Sequence, residues 1–154
     1  MGEEMGGMFR SLKDKTQGQE MVIEGNMFVE QVLPGFVNRV LGPVAMAAYR
    51  KPFKNKADRA PMLVWPREVP IAGEPKGMVQ LLNDIEHFMS KTKMPVLLLY
   101  AEPGVLVSPT TVGWYTSRIS NLETNYIGQG FHFIQEDQPD AIGRELTDWM
   151  RRTG

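Results

Sequence analysis

Few residues in this chain can do chemistry. It holds two histidines and no cysteine. Without thiols, disulfides, thiolate zinc sites and cysteine nucleophiles are all excluded. No Gly-x-Ser-x-Gly occurs, so a plain serine esterase lacks its signature. None of the aspartates (Asp14, Asp58, Asp84, Asp137, Asp140, Asp148) follows a buried strand in a small-x-Asp-x-small elbow. What remains to be read is the two histidines. His87 lies in a polar-flanked helical turn and reads as a surface residue. His132 lies within Gly128-Gln129-Gly130-Phe131-His132-Phe133-Ile134-Gln135-Glu136-Asp137, just past an apolar strand, and is the candidate.

A strand, a helix and a second strand must deliver that histidine. Met94-Pro95-Val96-Leu97-Leu98-Leu99-Tyr100-Ala101 reads as a buried parallel strand, broken at Glu102-Pro103-Gly104. A helix over about 110–118 and a strand Glu123-Thr124-Asn125-Tyr126-Ile127 follow, with His132 on the glycine-rich loop beyond. In an open α/β sheet, chemistry is done on loops past the carboxyl ends of the strands. An amphipathic helix from Pro75 or Lys76 to about Thr92 precedes the unit, with Val79, Leu82, Ile85, Glu86 and Met89 on its stripe and Leu81 and Phe88 beside it. A helix over about 140–152 closes it, capped by Asp137 or Asp140, with Ile142, Leu146, Trp149 and Met150 inward and Glu136–Asp137 as a helix-start pair.

The first half reads as helical pieces. Residues 3–14 place Met5, Met8, Phe9 and Leu12 on one face, and Gln17-Gly18 reads as a break. Residues 19–32 continue with helical spacing, interrupted at Gly25-Asn26 and ended by Pro34-Gly35. Residues 44–51 form another helix, stopping before Pro52. Lys54 to Pro61 is charged and reads as loop. Trp65 to Pro75 is proline-rich and reads as an irregular connector. The fold class is therefore α/β, a helical segment followed by a strand–helix–strand–helix unit. Two parallel strands alone cannot cover both faces and both edges of a sheet. Either another chain completes it or the chain is a fragment.

The totals narrow the partners. With 17 basic and 18 acidic residues among 154, nothing points to nucleic acid or an anionic membrane. No apolar run approaches the ~20 residues that span a bilayer. The acidic, glycine-rich start is unlike a secretory signal. The lack of cysteine is compatible with a reducing cytoplasm. The 11 methionines read as adaptable packing filler rather than ligand contacts.

Several long motifs, in order, carry a resemblance. Glu24-Gly25-Asn26-Met27-Phe28-Val29-Glu30 with Leu33-Pro34, then Tyr49-Arg50-Lys51-Pro52-Phe53, then Trp65-Pro66-Arg67-Glu68-Val69-Pro70-Ile71-Ala72-Gly73 resemble the cap domain of haloalkane dehalogenases. His132-Phe133-Ile134-Gln135-Glu136-Asp137, with Pro139-Asp140 and Ile142-Gly143, resembles that family's final histidine loop. The resemblance runs from about Met8 to Arg151. It implies the C-terminal half of an α/β-hydrolase: residues 1–74 would be cap-domain portion and connector, and 75–154 the C-terminal part of the core. The pattern runs through residues 2–9 without a boundary, so Met1 is expected to be a cut inside the cap.

The family's mechanism is covalent: an aspartate displaces the halide, and a histidine oriented by a carboxylate activates the water that hydrolyses the alkyl ester. His132 matches the base. The nucleophilic aspartate, the halide-holding tryptophan after it and the early loop of histidine, glycine and asparagine are not in this chain. The loop Ala101-Glu102-Pro103-Gly104 resembles the subgroup whose triad acid is a glutamate after an earlier strand, with Glu102 read as supporting or structural. By match to family positions, Phe9, Phe28, Val32, Phe36, Val69, Val105 and Leu106 would line an apolar cavity, or else be ordinary core. The implied partners are a small apolar halogenated substrate, water and the missing N-terminal half, with no cofactor and no metal. Two alternatives stay open: a coelenterazine-luciferase-like relative, and a non-catalytic fragment that folds by dimerising.

Overall fold

The computed structural model describes residues 3–154. Met5, expected on the apolar face of the first helix, has a side chain outside the described set. The chain forms two compact units. One holds the described residues up to Gly35 with Leu41–Asp84, the other Phe36–Val40 with Ile85–Gly154.

The first unit is helical. Helix α1 (Glu3–Lys13) stops at Asp14, whose carboxylate accepts the Thr16 and Gln17 amides at 3.0 and 2.8 Å and caps α2 (Lys15–Gly18). The expected break at Gln17-Gly18 is therefore misplaced: winding continues through Gly18 into a π-helical segment, Gln19–Glu24. Gly18 is a packing residue, since a Cβ there would lie 2.5 Å from the Leu12 carbonyl oxygen. The break comes at Gly25-Asn26, as the sequence suggests, with Asn26 buried at φ 49°. Asparagine tolerates that left-handed conformation. A second π-helical segment, Phe28–Val32, runs into α3 (Leu33–Gly35). The core here is Leu12, Val22, Met27 and Leu63, and Phe9, Phe28, Val32 and Met62 pack around it.

Helix α4 (Pro43–Arg50) starts on a proline, which needs no amide donor in a first turn. Helix α5 (Ala60–Arg67) corrects two expectations at once: it starts within the stretch read as charged loop and includes Trp65 to Arg67, read as irregular. Pro61 sits in its first turn, where no amide donor is needed, and Pro66 lies inside its last turn, where the helix forgoes one backbone hydrogen bond and runs on to Arg67. Two arginines close carbonyl ends. Arg67 donates to Leu12 O at 2.9 Å and Asp14 O at 3.1 Å, and Arg59 to Ile23 O at 2.7 Å. The Leu12 and Ile23 carbonyls are acceptors that helix C-termini leave orphaned; the Asp14 carbonyl also accepts the Gly18 amide at 3.0 Å. Ile71 to Glu74 forms a two-residue hairpin turn with Ala72 at φ 53° and Gly73 at φ 83°, so the proline-rich connector contains one regular piece.

Helix α6 (Lys76–Lys91) matches its expected span. Its apolar stripe is nonetheless open: Leu81, Leu82 and Ile85 are each 47 % exposed and Phe88 54 %.

The second unit is built on a parallel pair, β1 (Val96–Pro103) and β2 (Leu122–Gly130), with α7 (Pro109–Thr116) as the crossover. Both strands run further than the sequence suggests, through Pro103 and through the glycines of the histidine loop. Register runs from Val96↔Leu122 to Tyr100↔Tyr126, then shifts so that Glu102 faces Gln129 and Pro103 faces Gly130. The extra residue of β2 is absorbed at Gly128, whose φ of +114° suits only glycine. Ser108 and Thr111 form a capping box at the start of α7. After α8 (Ile134–Asp137), helix α9 (Pro139–Thr153) packs on β2, tied by Asn125 donating to Glu145 at 2.8 Å and by the Arg152–Glu123 ion pair. Neither Asp137 nor Asp140 caps α9; its N-cap is Gln138, without a side-chain bond. Leu146 and Met150, expected inward, are 42 % and 59 % exposed. This is a partial α/β fold: among the described residues the sheet has two strands.

Candidate functional site

His132 stands two residues past the end of β2, on the side where both strands present their carboxyl ends. Its backbone is pinned. The His132 and Phe133 amides both donate to the Phe36 carbonyl, at 3.1 and 3.2 Å. Its ring meets Phe133 edge-on at 4.8 Å between centroids and Phe36 edge-on at 6.3 Å. His132 is an exposed residue, and partial desolvation of its imidazole pushes the pKa below the ordinary histidine value. A neutral imidazole is the form that takes a proton from water. Among the described residues, none makes a hydrogen bond to the His132 ring.

The loop around it is held by charge. Asp137 turns its carboxylate back on the chain: one oxygen accepts the Asn38 and Arg39 amides at 2.8 and 3.2 Å, the other the Phe131 amide at 3.1 Å. Arg39 donates from Nε to the Glu136 carbonyl at 2.7 Å and pairs with the Glu136 carboxylate. Glu136 and Asp137 do lie in the first turn of the short helix α8, as the helix-start reading has it, and their polar atoms also serve neighbouring segments. Sequence reasoning missed this because the partners of Asp137 lie up to 99 positions away. The one local signal was Gly130, where a Cβ would come within 3.3 Å of the Asp137 carboxylate.

The expected cavity residues fall in different places. Phe9, Phe28 and Val32 pack against the first unit's core, and Val69 is half-buried in that unit. Phe36 is beside His132. Val105 is half-buried and Leu106 57 % exposed on the loop after β1. Within the second unit an open cleft is lined by Asn38, Glu102, Pro103, Pro109, Gln129 and Phe131, none of them an expected cavity residue. Glu102 thus lines a cleft at the strand ends. Gly104, at φ +64°, leaves β1 so tightly that a Cβ would lie 2.1 Å from the Val107 carbonyl oxygen. Among the described residues no group of acidic and histidine side chains has the grouping of a metal site, and no helix is long and apolar enough to cross a membrane.

No protein-family model matches the chain. Individual proteins do. A haloalkane dehalogenase of Bradyrhizobium diazoefficiens is 40 % identical over 143 residues, 93 % of this chain and 46 % of that protein. One from Sphingobium indicum is 40 % identical over 146 residues, 94 % of this chain and 48 % of its own length. Among solved structures, haloalkane dehalogenase DbeA from Bradyrhizobium elkani superposes with a TM-score of 0.94 at 37 % identity, covering 99 % of this chain and 53 % of that one. Haloalkane dehalogenase DatA from Agrobacterium tumefaciens gives 0.89 at 31 % identity over 100 % of this chain and 53 % of that one. The chain spans about half the length of the relatives it matches.

Proposed function

We propose that this chain, homologous over nearly its whole length to about half of a haloalkane dehalogenase, is the C-terminal half of such a hydrolase and supplies its base. The observation that carries the reading is the 40 % identity over 93 % of the chain to a haloalkane dehalogenase, which includes the fold that presents His132. On this reading residues 1–74 are cap-domain portion and connector, and residues 75–154 are the C-terminal part of the core. The nucleophilic aspartate, the halide-binding donors and the triad acid come from outside this chain. In the reaction, the aspartate carboxylate attacks the halogen-bearing carbon, the carbon–halogen bond breaks and halide leaves. His132 then takes a proton from water as the oxygen attacks the ester carbonyl. The acyl–oxygen bond breaks with a proton passed to the departing alkoxide, the alcohol leaves, the carboxylate is regenerated, and the His132 imidazolium gives the remaining proton to solvent, balancing the halide. The place of His132 on the loop past the carboxyl end of β2 supports that role, and its lowered pKa is in keeping with it. By match to family positions, the first unit contributes Phe9, Phe28, Val32 and Val69, and the second Phe36, Val105 and Leu106, as apolar residues for a small uncharged haloalkane.

The test is complementation. The chain alone releases no halide from a short bromoalkane, and mixing it with an N-terminal half that carries the aspartate restores release. A folded complex of the two that releases none sinks the reading. A second reading, a non-catalytic chain that associates with itself, is favoured by the open stripe of Leu81, Leu82, Ile85 and Phe88. Sedimentation that finds a folded monomer with no self-association removes it.

A further inference from the structure

Two segments nearly a hundred positions apart are tied twice, and His132 lies between the ties. The first tie is the Phe36 carbonyl, which accepts the His132 and Phe133 amides. The second is the Asp137 carboxylate, which accepts Asn38 and Arg39 on one oxygen and Phe131 on the other. One side chain thus holds the residues just after Phe36 and the residue just before His132. A carboxylate suits this arrangement, because both of its oxygens accept and neither donates. Gly130 leaves room beside it: a Cβ there would lie 3.2 Å from the Ala101 Cβ and 3.3 Å from the Asp137 carboxylate, tight enough that both must shift by a few tenths of an ångström. Gln138 adds a brace by donating from Nε2 to the Gln129 carbonyl at 2.8 Å, across Gly128, whose missing Cβ would meet that nitrogen at 2.8 Å.

We propose that Asp137 is the positioning residue of His132: its carboxylate sets the histidine loop against the segment Phe36–Arg39, so that base and Phe36 are held in one register. The catalytic part of this rests on the reading of His132 as the base; the positioning part does not. Asp137 touches no reacting atom, and its effect passes through the backbone at Phe131 and at Asn38. An asparagine at 137 keeps one accepting oxygen and turns an NH2 toward at least one of the three amides, so Asp137→Asn loses part of the clasp and Asp137→Ala all of it.

The experiment is NMR on the chain, with His132 ring signals assigned by their loss in His132→Gln. In Asp137→Ala, the Asn38, Arg39 and Phe131 amides exchange about tenfold to a hundredfold faster, as expected for losing hydrogen bonds to a charged acceptor. The nuclear Overhauser contact between the His132 and Phe36 rings disappears, and Asp137→Asn weakens it. If Asp137→Ala does not fold, Asp137→Asn and Gly130→Ala, which displaces the carboxylate without removing it, are scored in the same way. An unchanged His132–Phe36 ring contact in the folded variants overturns the proposal, whatever the amides do. In the complemented enzyme, Asp137→Asn slows hydrolysis of the alkyl ester, lowering kcat, with little change in the rate of the first halide burst. Failure of complementation with wild-type chain strikes only the dehalogenase reading, because the ring contact is measured without any substrate.

Discussion

The Phe36 carbonyl oxygen accepts the His132 amide at 3.1 Å while the two rings stand edge to face at 6.3 Å. The same residue fixes the histidine backbone and strips part of the water from its ring. Position and proton affinity of the imidazole are therefore set together.

This gives a pH prediction. His132 titrates below 6.5, because desolvation disfavours the imidazolium. The unfolded chain then binds more protons than the folded one as pH falls. The stability tied to His132 is complete above 6.5 and is lost as pH drops through the folded value. A 1H–13C titration of the His132 ring checks it, and Phe36→Ala moves the midpoint up toward the ordinary value. A midpoint at or above 6.5 in the wild-type chain contradicts the account.

Glu30 and Arg50 give a second pH effect of the same sign. Arg50 donates from Nε to both Glu30 oxygens, at 2.9 and 3.1 Å, and from a terminal nitrogen to Oε2 at 2.7 Å. The hydrogen-bonded guanidinium holds the Glu30 carboxyl below its ordinary value of 4.5. That contribution is present above 4.5 and disappears as pH falls through the lowered folded value. Arg50→Gln therefore destabilises the chain modestly at about pH 7 and has little effect at about pH 3. Denaturant melts at the two pH values measure the difference; an equal loss at both would refute the linkage.

Glycines separate by sign. At Gly113 in α7 and Gly143 in α9, a Cβ would meet no atom within 4 Å, so replacing either by alanine stabilises by about 0.5–1 kcal/mol. Gly104→Ala instead drives a Cβ into the Val107 carbonyl at a φ of +64°, and destabilises by roughly 1–3 kcal/mol. Thermal melts of the three variants should show shifts in opposite directions.

Leu12 is fully buried in the first unit, and Leu12→Ala costs about 2–5 kcal/mol. Val44, 84 % exposed, tolerates alanine within about 0.5 kcal/mol. Urea titrations of the pair test whether the Leu12–Val22–Met27–Leu63 cluster is the core; similar losses at both positions would deny it.

The legible parts of this fold were those with a strong period or a local breaker. The apolar run from Val96 and the stripe of α6 located their elements closely, and Gly25-Asn26 marked a real interruption. Helix α5 was hidden because Pro61 and Pro66 read as breakers, although a first-turn and a last-turn proline suit a short helix. Gly18 read as a break because a glycine required by contact with Leu12 looks the same in sequence as one required by a turn. At the site, the loop motif singled out His132, but the work of Asp137 was invisible. Its carboxylate answers amides at Asn38 and Arg39, and no local spacing encodes a contact 98 or 99 residues long.

The two-stranded sheet carries a thermodynamic consequence. Among the described residues, β1 and β2 pair only with each other, so each has one side of its backbone with no strand beside it. Any chain that adds a strand there binds the folded form and not the unfolded one. The melting midpoint of this protein is then a function of that chain's concentration, by mass action. Each tenfold rise in free partner beyond its dissociation constant adds about 1.4 kcal/mol. In the presence of such a chain, a single stability value for this polypeptide is one point on a binding isotherm.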